Sequence, residues 1–223
     1  MDGQPNFESY TYEELLQARS SVNKEKYPEN YQTIVSLLSN PEFVGQQKER
    51  KEERKEDLKY STFGLRVLAS IIDGLLFVLV IYIESLILGF EYSPHDKFLQ
   101  CVNAIQLSLY AILMHGLFGQ TVGKMLAGVK VLNHENEESI GLLQSLRRES
   151  VTLLLNIIWL TLSIVASVMV YQGVEDLSNL VTSILIFAAL SLIWGISEFV
   201  TMLFSKKRRA VHDFIGKTVV VRI

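Results

Sequence analysis

Four stretches of this chain read as unbroken apolar helix, and the charged residues collect in the segments between and around them. The stretches run at about 65–90, 98–118, 151–171 and 179–204. Each has close to or more than the ~20 residues a helix needs to cross ~30 Å of hydrocarbon. The second and third hold no Asp, Glu, Lys or Arg; the first holds Arg66, Asp73 and Glu84, and the fourth only Glu198. Four such helices in 223 residues leave too little polar surface to cover them in water. The pattern therefore predicts an all-α membrane protein, a four-transmembrane-helix bundle in contact with the lipid bilayer.

Orientation follows from the cations, since cytoplasmic flanks carry excess Lys and Arg. Lys48, Arg50, Lys51, Arg54, Lys55 and Lys59 precede the first span; Lys124, Lys130, Arg147 and Arg148 lie between the second and third; Lys206, Lys207, Arg208 and Arg209 follow the fourth. The loops 91–97 and 172–178 carry one cation and none. Both termini are expected in the cytoplasm, with the protein in a plasma membrane of the bacterial inner-membrane type.

Residues 1–60 are a different kind of chain. They hold 9 basic and 12 acidic side chains of the 45 charges in the whole sequence, so they read as a cytoplasmic charged helical segment ahead of a membrane domain at 61–223. Thr11-Tyr12-Glu13-Glu14 has the form of a capping box opening a short helix. Pro28 opens a second helix, which Asn40-Pro41 stops, and Lys48 to Lys59 continue as a solvated helix with charges three and four apart. No apolar leader opens the chain. The net charge of −3 argues against nucleic acid as a partner, because duplex affinity rests on phosphate neutralisation. Cys101 is the single cysteine, so no internal disulfide forms.

Between spans two and three, Gly119-Gln120-Thr121-Val122-Gly123-Lys124-Met125 fails as a phosphate loop, with three residues between the glycines and Met after Lys. It reads instead as a short amphipathic helix at the interface, whose small residues permit close backbone approach. Val129 to Leu132 alternates like a strand and Thr218 to Ile223 is β-branched, so a small cytoplasmic two-stranded pairing is expected.

Ionisable groups inside hydrocarbon are costly, so their positions are informative. Arg66, Asp73 and Glu84 fall within about 20° of one line on a helix, and Asp73 lies ~10 Å beyond Arg66. Glu198 comes to a similar depth on the fourth span, as do Asn156 and Tyr110. A carboxyl held in hydrocarbon near a second acid is a candidate to bind and release a proton, and with neighbouring oxygens to hold a small cation. Asp73, Glu198, Asn156 and Tyr110 are therefore the ion-binding candidates. A competing reading gives Asp73 a basic partner and ties Glu198 to Trp194 or a hydroxyl. Glu84, near the outer boundary, is placed to snorkel. His212-Asp213 lacks a nucleophile to complete a hydrolytic set, His134-Glu135-Asn136-Glu137-Glu138 is an exposed acidic loop, and His95 and His115 stand alone. No enzyme activity, metal or cofactor is expected.

The segment Gly64 to Asp73, the segment Gly119 to Leu132, and Arg209 to Val221 together resemble the RDD family of membrane proteins. The one Arg and two Asp that name the family carry over onto Arg66, Asp73 and Asp213. The resemblance covers about residues 60–223 and implies transport, with some members linked to exchange of Na⁺ or other monovalent cations for protons. On physical grounds, Arg66 is expected to pair with Asp213, or with Glu149 beside Arg148. The leading expectation is cation or proton transport, with a homo-oligomer to complete the pathway. The alternative is a non-catalytic membrane scaffold or assembly factor docking through its amino-terminal helices.

Overall fold

A computed structural model describes residues 5–89 and 96–223. The chain divides into two compact units, residues 1–58 and 59–223.

In the first unit, a short 3-10 turn at Phe7–Ser9 precedes α1 (Tyr12–Ser21), α2 (Pro28–Ser39) and α3 (Pro41–Tyr60), whose last two residues, Lys59 and Tyr60, belong to the second unit. Thr11 Oγ1 accepts from Glu14 N–H while the Glu14 carboxylate accepts from Thr11 N–H, so the capping box forms. Phe7, Leu15 and Ile34 make a small core, with Leu37, Leu38 and Phe43 around it. The charged face of α3 is solvated.

The second unit contains four helices long and apolar enough to cross a membrane: α4 (Phe63–Leu88), α5 (Lys97–Phe118), α7 (Leu142–Tyr171) and α8 (Ser178–Phe204). Their large apolar side chains face outward, as Leu75 (66% exposed), Ile87 (76%) and Leu185 (64%) illustrate, an apolar surface too large for water and suited to contact with lipid. α7 starts nine residues before the apolar stretch that announced it. That extra length is amphipathic and carries Arg147, Arg148 and Glu149.

Between α5 and α7 the chain forms α6 (Val122–Leu126) and β1 (Val129–Asn133); after α8 it forms α9 (Val211–Ile215) and β2 (Thr218–Arg222). The strands are antiparallel, with Val131 opposite Val220. Two strands alone are marginal in water, and here both faces are covered. Val129, Val131 and Val220 pack with Ala69 of α4 and Ala127, while Val219 and Val221 pack with Tyr60. The Tyr60 hydroxyl donates to Glu137, whose other oxygen pairs with Lys59; these two partners hold the Glu137 carboxyl below its usual range. The sheet is thereby packed against the start of α4, on Leu65 and Ala69.

Candidate functional site

Asp73 is seven residues into the apolar part of α4 and only 8% exposed, yet no basic side chain bonds it among the described residues. Its partners are neutral donors. Tyr110 Oη of α5 donates to Oδ1 (3.0 Å), Gly123 N–H donates to the same oxygen (2.8 Å), and Thr121 Oγ1 donates to Oδ2 (2.6 Å). Its two oxygens thus take three donors from two elements and the turn between them. Tyr110 Oη in turn accepts from Val122 N–H at 2.8 Å. Asp73 and Tyr110 together thus satisfy amides at the amino-terminal end of α6, which would otherwise be orphaned inside the protein. Gly123 is obligatory: a Cβ there would meet the Ala69 carbonyl oxygen and stand 2.8 Å from Asp73 Cγ. Thr121, the residue before α6, also caps it by accepting from Lys124 N–H.

A second cluster gathers around Asp213, which is fully buried on α9. Arg66 Nη1 lies 2.8 Å from Oδ2 and Arg148 Nη1 2.9 Å from Oδ1. Thr218 Oγ1 donates to Oδ1 and Ala210 N–H to Oδ2. Burial alone would raise this carboxyl, but the guanidiniums of Arg148 and Arg66 outweigh it and hold the group well below the usual carboxylate range. One residue on the returning tail therefore ties α4, α7 and β2 together.

Arg66 and Arg148 also flank His212. Arg66 Nη2 is 3.2 Å and Arg148 Nη2 2.7 Å from His212 Nε2. A guanidinium only donates, so this network assigns Nε2 as the acceptor and places the ring proton on Nδ1. Nδ1 faces Glu198 of α8, 2.5 Å from Oε2, without the alignment of a hydrogen bond. Glu198 Oε1 accepts from His212 N–H at 3.1 Å. Glu198 Oε2 is thus a buried oxygen with no hydrogen-bond donor aligned on it.

On its other side Arg148 reaches Glu149 (Nε to Oε1, 3.3 Å), which lies 3.4 Å from His115 Nδ1. His115 Nε2 is 2.7 Å from Lys124 Nζ. Burial, reinforced by the Arg148 charge, pushes Lys124 down to about 7. Two contact sets result, Lys124 with His115 and Glu149 on one side and His212 with Glu198 on the other. Arg148 separates them, because a guanidinium does not give up its proton.

The four ion-binding candidates do not form one contact set. Tyr110 binds Asp73, but Asn156 donates to Ala104 O and Ser108 Oγ, and Glu198 belongs to the His212 cluster. The Glu198 carboxylate bonds neither Trp194 nor a hydroxyl among the described residues; only its backbone carbonyl accepts from the Thr201 hydroxyl. Glu84 does not simply snorkel; it accepts from Gln106 of α5 at 3.0 Å. Arg66 takes Asp213, whereas Glu149 takes Arg148 and approaches His115. His115 is not isolated but 98% removed from solvent and central to a contact chain, at 2% exposure. His95 lies outside the described residues. Sequence reading missed Thr121, Lys124, Arg148 and His212 as site residues. The signal available for Thr121 was its place as a hydroxyl residue directly before a short helix.

A search of curated proteins and a search of solved structures each found no match. A model of the RDD family matches residues 60–217, a span that contains Arg66, Asp73 and Asp213 in the arrangement just described. By that match, over well more than half its length, the chain belongs to the RDD family of membrane proteins.

Proposed function

We propose that this multi-pass RDD protein sits in a bacterial inner membrane with both termini cytoplasmic, and that it moves protons or monovalent cations through the cluster at Glu198 and His212. Excess Lys and Arg before α4, between α5 and α7 and after α8 supports the orientation. One observation carries the transport reading: Glu198 Oε2 is buried, has no aligned donor, and faces the Nδ1 of a histidine whose other nitrogen is held by two guanidiniums. A proton shared between Nδ1 and Oε2 changes the charge at that oxygen without disturbing the Arg66–Asp213–Arg148 frame. A cation approaching Oε2 competes with that proton, which is the minimum chemistry of exchange. Asp73, with its oxygens committed to three donors, serves as framework. Self-association would supply the outer half of the path.

The scaffold reading is favoured by a different observation, the three donors held by Asp73 and the four by Asp213. Purified protein in liposomes decides between the two. Cation-dependent dissipation of an imposed ΔpH by wild type, lost in Glu198→Gln protein of unchanged thermal stability, is the expected result. Wild-type liposomes indistinguishable from empty ones reject transport and leave the scaffold.

A further inference from the structure

A cavity of about 990 Å³ opens between α5, α7 and α8, away from both charge clusters. That volume lies at the upper end of the range of small-molecule sites. Its walls are mostly apolar, with Trp159 and Leu162 among them, and its polar groups are spaced along it. Lys97, the first residue of α5, stands exposed at the mouth, its Nζ 3.3 Å from Gln100 Oε1. The nearest carboxylate in sequence, Asp96, is engaged in capping α5 by accepting from Leu99 N–H. Among the described residues no acidic side chain lines the cavity.

Deeper in, Asn156 uses its amide NH₂ on Ala104 O and Ser108 Oγ of α5, which orients its Oδ1 as an acceptor with no donor among the described residues. Ser163, one and a half to two turns nearer the carboxyl end of α7, lines the cavity with a hydroxyl that enters no described hydrogen bond. Ala104, which carries the Asn156 contact, is seven residues beyond Lys97, so mouth cation and deep acceptor lie ~10 Å apart along α5. A mostly apolar cavity with a cation at its mouth and a donor-free amide oxygen deeper in fits a particular kind of molecule.

We infer that this cavity binds a medium-chain amphipathic carboxylate whose far end carries a hydroxyl, with the carboxylate at Lys97 and the hydroxyl donating to Asn156 Oδ1. The charge term and the deep hydrogen bond act at separate ends, so each can be removed independently. Neither end touches Glu198, His212 or Asp73, and the site stands whether or not the protein transports cations.

The test uses full-length protein in nanodiscs of zwitterionic phospholipid, with Trp194→Phe making Trp159 the sole tryptophan of the two in the chain. ω-Hydroxydecanoate, decanoate and decanol are titrated against Trp159 fluorescence. Saturable binding is expected for ω-hydroxydecanoate, about tenfold weaker for decanoate, the loss of one hydrogen bond to a neutral acceptor in a dry site. Lys97→Gln should weaken both acids and leave decanol unchanged. Asn156→Ala should bring ω-hydroxydecanoate to the decanoate level. Because Asn156 also joins α7 to α5, the independent readout is protection of Cys101, the chain's single cysteine and a lining residue, from maleimide alkylation in otherwise wild-type protein. Equal, unsaturable partitioning of all three compounds overturns the proposal. So does quenching of Trp159 by brominated-chain phospholipid that no acid displaces, which assigns the cavity to bilayer lipid.

Discussion

Replacing Asp213 by Asn removes one negative charge from a buried site that holds two guanidiniums at 2.8 and 2.9 Å. The amide keeps an oxygen for Ala210 N–H or Thr218 Oγ1 but cannot neutralise Arg66 and Arg148, which are 7% and 2% exposed. Breaking a buried ion pair by deleting one partner costs about 3–5 kcal/mol, because the remaining charge is left uncompensated. Glu149, 3.3 Å from Arg148 Nε, screens part of that charge, which puts the expected loss toward ~3 kcal/mol. Thermal unfolding of purified protein measures it. Sign and pH window follow from the depressed carboxyl: its stabilisation is complete above the ordinary value of 3.8 and is lost as pH falls through the lower folded-state value. The wild type should therefore exceed Asp213→Asn at neutral pH, and the gap should narrow only on strong acidification. A midpoint for Asp213→Asn within a degree or so of wild type at pH 7 would refute the claim that this residue fastens α4, α7 and β2.

Two further perturbations separate close packing and burial from charge pairing. Gly123→Ala drives a methyl into the Ala69 carbonyl and toward Asp73, at a cost of about 1–3 kcal/mol, whereas Gly195→Ala on α8, with nothing within 4 Å, should be neutral or stabilising; equal effects in an unfolding assay contradict the close approach of α6 to α4. Lys124 has a folded-state value of about 7 against an ordinary 10.5, so the unfolded chain binds more protons between these limits and wild-type stability should rise with pH across that window; Lys124→Met should lack the rise, and an unchanged pH slope would place Lys124 in water.

The sequence makes the spans legible because hydrocarbon imposes a length and forbids charge, and the strands legible because Val219-Val220-Val221 and the Val129–Leu132 alternation suit little else. The return of Asp213 to Arg66 follows the turn at 206–209, after which α9 brings its carboxylate within 2.8 Å of the guanidinium. Depth along a helix can be counted from sequence, but the direction a side chain faces relative to another helix cannot. Asn156, Tyr110 and Glu198 were matched in height with Asp73, yet only Tyr110 also faces it. Asp73 was assigned a charged partner or a cation because carboxylates in apolar helices usually need one. The actual partners come from Thr121 and Gly123, and α6 delivers them only because a glycine lets its backbone touch α4. His115 looked solitary for a related reason: its contacts, Lys124 and Glu149, belong to separate elements that meet only in the folded unit.

The most direct measurement on the framework role of Asp73 is a double-mutant cycle on unfolding free energy with Asp73→Asn and Thr121→Val. Because Thr121 Oγ1 donates to Oδ2 at 2.6 Å in a buried position, the two changes should be coupled by about 1–3 kcal/mol, the range for a buried hydrogen bond. Additivity to within ~0.5 kcal/mol would mean that Asp73 is not held by α6, and would return it to the set of groups free to bind ions.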